Sequence, residues 1–213
     1  MFFIVKKIYA GQSLLRISMN LEFKKHALEG ALVDIGGGHE PDYFEYFDMT
    51  RATSVTPVDG SFSGIDFEKD ALPFADNSFD TALCANVLEH VYNHRFLIGE
   101  IKRIMRPGGK LVGFVPFLIQ YHPDPHDYFR YTKEALIRMF ADAGFADIKI
   151  KAIGGGPFLA NFNNLVLSVP RIVRVVLYPL YTGLDHLFLK LRPAARERYP
   201  LGFVFSMRRA DTA

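Results

Sequence analysis

The chain has 213 residues, 49% of them hydrophobic, a size and apolar content that suit one globular domain and exclude a disordered chain. Its 25 Lys and Arg nearly balance 23 Asp and Glu, which argues against a nucleic-acid-binding protein. The single cysteine, Cys84, excludes an intrachain disulfide and a cysteine-built zinc site, and it favours a reducing, cytoplasmic location.

Predicted strands and helices alternate along the chain, which indicates a doubly wound α/β sheet. The first ten residues place their apolar residues before their lysines, so no secretory signal is expected. No uncharged apolar run reaches the ~18 residues that span a bilayer. The pattern predicts helices over 20–30, 41–49, 96–105 and 133–142, and strands over 31–35, 54–58, 79–85, 111–115, 147–153 and 201–207.

An apolar stretch, residues 157–192, precedes the last predicted strand and is broken by Pro170 and Pro179. Its composition predicts two or three helices within a single domain over 1–213. Residues 171–213 carry eight Lys and Arg against three Asp and Glu, a balance that suits an anionic surface or substrate, although a solvated surface is the favoured alternative. We expect the insert to cover an acceptor site or to contact a membrane or a second copy. The alternative is that it only packs on the edge of the sheet.

A glycine turn follows the first buried strand, where Asp34 is followed by Gly36 and Gly38. Glycines at such a turn let the backbone approach a nucleotide-like ligand closely. Pro41 stands where the dinucleotide-binding pattern requires its third glycine, and no phosphate-binding loop motif is present.

Three further motifs follow in order: a Leu-Pro-Phe loop leading into the third strand, an Asn-Val-Leu-Glu-His segment, and an Arg-Pro-Gly-Gly turn. With the glycine turn they occupy residues 34–38, 72–80, 86–91 and 106–111. Over roughly 31–150 the chain resembles the type 11 family of class I S-adenosylmethionine (SAM) dependent methyltransferases. The resemblance implies a Rossmann-like sheet of seven strands with an antiparallel last strand.

The resemblance also assigns SAM as cofactor and gives its contacts. Gly36 and Gly38 would pass under the methionine part, Asp34 would face the ammonium directly or through water, and the Asn86 backbone would line the methionine end. The adenosine half would be held by the remaining acids: Asp59 at the ribose hydroxyls and Glu68 or Asp70 at the adenine amino group. Glu40 replaces the family's third glycine, which places an extra negative charge near the pocket.

Residues 122–131 are rich in His, Asp, Tyr and Arg, and they follow a strand whose carboxyl end lies at the substrate edge. His126 is our first candidate and His122 our second for a general base, oriented by Asp124 or Asp127. The alternative is a structural clasp in which Arg130 pairs with a carboxylate.

Metal ligation by His122, Asp124 and His126 is disfavoured, because the three are neighbours in one loop without a clear fourth ligand. Glu89 and His90 are expected to fix the neighbouring loop rather than to catalyse. We therefore expect methyl transfer from SAM to a small-molecule, saccharide or lipid-like acceptor. The alternatives are an inactive SAM-binding module and a membrane-associated interaction module.

Overall fold

The computed structural model describes residues 2–38 and 41–211, apart from the Phe62 side chain. Its strands are β1 (Ala27–Ile35), β2 (Asp48–Val58), β3 (Phe79–Ala85), β4 (Met105–Pro116), β5 (Phe145–Ile153) and β6 (Gly202–Arg209). Its helices are α1 (Phe2–Tyr9), α2 (Leu14–Phe23), α3 (Gly60–Ser63), α4 (His94–Ile104), α5 (Lys133–Asp142), α6 (Pro157–Val166) and α7 (Arg171–Leu191). Short 3-10 helices cover Asp42–Tyr46, Leu88–His90 and Pro193–Arg198.

The strands form one sheet in the order β2-β1-β3-β4-β6-β5. The first four strands pair in parallel, and β6 runs antiparallel to both β4 and β5. This is the predicted Rossmann-like fold, although the described residues form six strands rather than seven. Because the carboxyl ends of parallel strands share one edge, the segments that follow β1, β2, β3 and β4 gather there.

Two predicted helices were wrong, and both lie next to strands that pair in the sheet. The helix expected over 20–30 ends at Phe23, and β1 begins at Ala27. The helix expected over 41–49 is a 3-10 turn, after which Asp48 starts β2. Ala27 and Asp48 are partners in the register of β1 and β2, so strand pairing overrides the local helical preference.

The insert forms two helices, α6 and α7, which pack against the N-terminal helices α1 and α2. Their shared core is an apolar cluster of buried side chains that includes Ile8, Ile17, Phe162, Val166 and Tyr178. Asp185 of α7 is almost fully buried, and its carboxylate accepts hydrogen bonds from the backbone amides of Gly156 and Phe158. This carboxylate ties α7 to the start of α6.

The outer face of α7 is apolar and exposed. The helix has 21 residues and is long and apolar enough to cross a membrane, with only 11% of its most apolar window buried. The sequence pattern did not indicate a helix of this kind, because it required an uncharged apolar run and α7 contains charged residues. Its exposed apolar side chains are Ile172, Val176, Leu180, Leu184, Leu187 and Leu191.

Candidate functional site

A cavity of about 630 Å³ opens at the carboxyl edge of the sheet. Its floor is formed by the glycine turn and by Ala85 and Asn86 at the end of β3. The remaining walls come from α2, from the 3-10 helix after the glycine turn, from β4 and the segment after it, and from the insert. They include Arg16, Met19, Tyr43, Phe114, Gln120, His122, Asp124, Asn163 and Leu167. The cavity therefore brings together residues from five separate parts of the chain.

The three glycines of the turn have different surroundings. Gly36 and Gly38 adopt left-handed backbone angles, with φ of +72° and +74°. A Cβ on Gly37 would lie 2.1 Å from Asp34 Oδ2 and 2.2 Å from the Tyr43 hydroxyl oxygen. A Cβ on Gly38 would meet no described atom within 4 Å. Gly37, which the sequence pattern left unassigned, is therefore the tightest position, and Gly38 faces open space.

Asp34 is fully buried, and the Tyr43 hydroxyl donates to its carboxylate at 2.6 and 2.7 Å. Burial raises the Asp34 pKa to about 6; the Tyr43 hydrogen bond opposes this rise, and the charge of Asp59 adds to it. Of the described residues, Gly37 and Tyr43 line the cavity and Asp34 does not. The role of Asp34 at a ligand ammonium, directly or through water, stays a prediction. Asp34 lies one layer behind the wall.

Asp59 follows β2 and connects it to the glycine turn. Its carboxylate accepts hydrogen bonds from the Gly38 amide at 3.1 Å and from the Ser61 amide at 2.9 Å, which caps α3. Asp59 thereby holds the turn in register with the end of β2. The ribose role assigned to it by resemblance stays a prediction, as does the effect of Glu40, which lies outside the described residues.

The two acids predicted to contact the adenine both accept hydrogen bonds from backbone amides of nearby loops. The Glu68 carboxylate accepts from the backbone amides of Tyr92 and Asn93 at 2.6 and 2.8 Å, immediately before α4. Asp70 accepts from the Asp66 amide at 2.9 Å. Neither acid is among the described residues that line the cavity. Their adenine role stays a prediction. For Glu68, the carboxylate that would meet the adenine already binds the two backbone amides before α4.

Asn86 lies where the resemblance places the methionine end of the cofactor. It lines the cavity, and its amide donates to the Phe114 carbonyl oxygen at 2.9 Å. Its positive φ of 57° turns the chain sharply after β3. The side-chain amide contacts the Met19 sulfur at 3.8 Å, so α2 closes this end of the cavity.

The segment 122–131 is held together by an ion pair and hydrogen bonds among its own residues, as the structural alternative predicted. Arg130 pairs with both oxygens of the buried Asp127 carboxylate, at 2.5 and 2.7 Å, and holds its pKa down at about 2. The same carboxylate accepts from the His122 amide at 2.9 Å. His122 lines the cavity, whereas the His126 ring is exposed and packs against Tyr128 at 5.3 Å between centroids. Of the two candidate bases, the cavity therefore includes His122.

Three chemically active side chains meet beside this segment. The His90 and His122 rings lie 5.1 Å apart, and Glu89 Oε1 lies 3.7 Å from His90 Nε2. Burial raises the pKa of Glu89 to about 8. As expected, this stretch fixes the neighbouring loop, since the Glu89 carbonyl oxygen accepts from the Tyr128 amide at 2.8 Å. Sequence reasoning missed the cluster itself, because it depends on the approach of two distant loops.

Comparison with known families identifies the fold. Residues 34–113 match the family described as a methyltransferase domain, the type 11 family. This match, which covers less than half of the chain, supports a class I SAM-dependent methyltransferase. It is 28% identical over 111 residues to a demethylmenaquinone methyltransferase of Geobacillus sp. (strain WCH70), covering 38% of this chain and 47% of that protein. It is 39% identical over 101 residues to an uncharacterized methyltransferase of Mycobacterium avium (strain 104), covering 38% and 37%.

Solved structures agree on the fold. A SAM-dependent methyltransferase from Mesorhizobium loti superposes with a TM-score of 0.55 at 16% identity, covering 84% of this chain and 90% of that one. Phosphoethanolamine N-methyltransferase 2 of Haemonchus contortus, in complex with SAM, gives 0.54 at 17% identity, covering 92% and 52%. The chain spans about half or less of the length of the curated relatives it matches.

SAM is the cofactor of this family, and the described residues fit it. The backbone at Gly37 has no room for a side chain, and the space above Gly38 is open, as a ligand lying across the turn requires. Gly36, Gly37 and Asn86 would hold the methionine end, and the bound sulfonium supplies an activated methyl group. The adenosine half would extend toward Gly38 and Asp59, beyond the described cavity lining.

Proposed function

We propose that the chain transfers a methyl group from SAM to a small, lipid-like acceptor. The observation that carries the proposal is a single cavity in which the glycine turn and Asn86 share walls with His90, His122 and Asp124. Because the sulfonium is already activated, the protein has mainly to align the acceptor and to exclude water. Leu15, Met19, Phe114, Ile119 and Leu167 give the cavity its apolar walls.

The proposal is tested first by calorimetric titration with SAM and then by turnover. Reduced demethylmenaquinone in vesicles is the first acceptor to assay, because a relative is named for it; a sugar and a small catechol serve as polar comparisons. Production of S-adenosylhomocysteine with the vesicle substrate supports the proposal. Binding of SAM without turnover of any of these would favour the inactive SAM-binding alternative, and absence of SAM binding would refute both.

We expect His122→Ala to lower turnover about a hundredfold, with the Kd for SAM unchanged, since His122 lines the acceptor side of the cavity. The matched variant His126→Ala should retain turnover, because the ring is exposed and its backbone carbonyl oxygen, which faces His90 Nδ1, is kept. Steady-state kinetics on both variants measure the difference. The reverse result would restore His126, the first candidate from the sequence, as the base.

We infer that the outer face of α7 binds an anionic membrane surface from the cytoplasmic side. Its exposed apolar stripe is flanked by the exposed basic residues Arg171, Lys190 and Arg192, which complement anionic headgroups. The opposite face holds Tyr178 and Asp185 buried against the domain, so α7 would lie along the membrane rather than cross it. Leu167, in the link between α6 and α7, lines the cavity and would bring the lipid phase close to the acceptor.

Replacing Leu180 and Leu184 together with Asp should abolish flotation with phosphatidylglycerol vesicles, because two charges would enter the apolar stripe. Ile137→Asp is the matched control, since Ile137 of α5 is also an exposed apolar side chain, at 40% exposure. Flotation of the parent should weaken with added salt, since basic residues contribute to it. If the parent ignores vesicles but forms a dimer that the double substitution disrupts, the face binds a second copy and the membrane proposal is wrong.

A further inference from the structure

The Glu89 carboxylate is fully buried, and neither of its oxygens has a hydrogen-bond partner among the described residues. A buried carboxylate without a partner is strongly disfavoured, so a proton or a cation is needed beside it. Arg130 acts on Glu89 electrostatically, but its hydrogen-bond partners are Asp127, backbone carbonyl oxygens and His122 Nδ1. Glu89 is therefore a buried carboxyl group that none of the described side chains neutralises by a hydrogen bond.

The two histidines beside Glu89 are oriented in the manner of metal ligands. His90 Nδ1 faces the His126 carbonyl oxygen, which favours a proton on Nδ1 and leaves the lone pair of Nε2 toward Glu89 Oε1 at 3.7 Å. His122 Nδ1 lies 3.4 Å from a carboxylate oxygen of Asp127 and 3.4 Å from Arg130 Nη2. A carbonyl or carboxylate behind each imidazole is the usual outer partner of a metal-binding histidine.

The spacing of the three groups suits a small cation. Each offers one ligand atom, and these atoms lie within 4.8 Å of one another. Bond lengths of about 2.1 Å around one ion would bring them to separations of roughly 3–3.5 Å, which side-chain adjustment can supply. The His122 side chain is 36% exposed, so an ion can enter from the cavity.

We propose that Glu89, His90 and His122 bind a divalent transition metal ion, of which Zn²⁺ best suits two imidazoles and one carboxylate. The inference rests on the proposed function for its role: three protein ligands would leave a fourth coordination position for an acceptor oxygen. In this state His122 orients the acceptor through the metal rather than removing its proton.

The test is titration of the chelator-treated full chain with ZnCl₂, with metal content measured after gel filtration and the absorption spectrum recorded with Co²⁺. We expect about one equivalent to bind, and Glu89→Gln, His90→Ala and His122→Ala each to weaken binding at least a hundredfold. His186→Ala is the matched control, because this histidine is exposed on α7, away from the cluster. Should Glu89→Gln fail to fold, His122→Ala at the cavity surface decides.

The proposal is overturned if the parent retains no Zn²⁺, or if all three ligand variants retain it as the parent does. SAM titration of the metal-free protein separates this result from the proposed function. Intact SAM binding with no metal binding leaves methyl transfer standing and makes Glu89 a buried protonated acid. Metal binding without SAM binding removes the proposed function while the metal site remains.

Discussion

Gly37→Ala is expected to weaken SAM binding at least a hundredfold. The added Cβ would lie within about 2.2 Å of two oxygens, on Asp34 and Tyr43, far inside contact distance. Both oxygens are buried behind the turn, so the backbone must move into the cavity or the Asp34–Tyr43 hydrogen bond must break. Either response removes the surface on which the cofactor would lie. Isothermal titration with SAM measures the loss.

Gly99→Ala in α4 is the control for this substitution, because a Cβ there meets nothing within 4 Å and alanine favours a helix. It should bind SAM as the parent does. Gly36→Val is a poorer test, because φ at Gly36 is positive and a β-branched side chain there strains the backbone whatever it contacts. Circular dichroism should show that Gly37→Ala is folded; a folded variant with the Kd of the parent would mean that SAM does not lie across this turn.

Asp34→Asn is expected to stabilise the cofactor-free protein at pH 8 while weakening SAM binding. The folded-state pKa of Asp34, about 6, lies above the ordinary value of 3.8, because burial disfavours the charged form. Stability from this group is therefore complete below about pH 4 and is lost as pH rises through about 6. A rise of about two units corresponds to roughly 3 kcal/mol, which asparagine would restore at pH 8 while still accepting from Tyr43.

Urea unfolding at pH 4 and pH 8 measures the first effect, and SAM titration at pH 8 the second. The gain should appear at pH 8 and vanish at pH 4, where Asp34 is already protonated. Asp142→Asn, with a side chain 69% exposed, should change neither quantity. A variant less stable than the parent at pH 8 would show that favourable interactions stabilise the Asp34 charge. Unchanged SAM affinity would show that this charge does not contribute to cofactor binding.

The sequence alone was sufficient wherever structure depends on neighbours a few residues apart. Strand β3 and helix α5 lie where they were predicted, and Thr132 caps α5 by accepting from the Ala135 amide. The glycine turn, with positive φ at Gly36 and Gly38, also follows from local backbone chemistry. The four motifs, in their order along the chain, were enough to predict the resemblance to the family, the class of fold and the cofactor.

Tertiary structure decided what depends on residues brought together by the sheet. The starts of β1 and β2 follow from their mutual pairing, which local helical preference could not reveal. Glu68 binds the backbone amide of Tyr92, 24 residues away, just before α4, and the Tyr43 hydroxyl donates to Asp34 behind the cavity wall. Glu89 and His122 meet only because the segments after β3 and β4 end at the same edge. A burial-dependent pKa or a contact between distant loops has no signature in sequence spacing, because the low dielectric and the partner atoms exist only after folding.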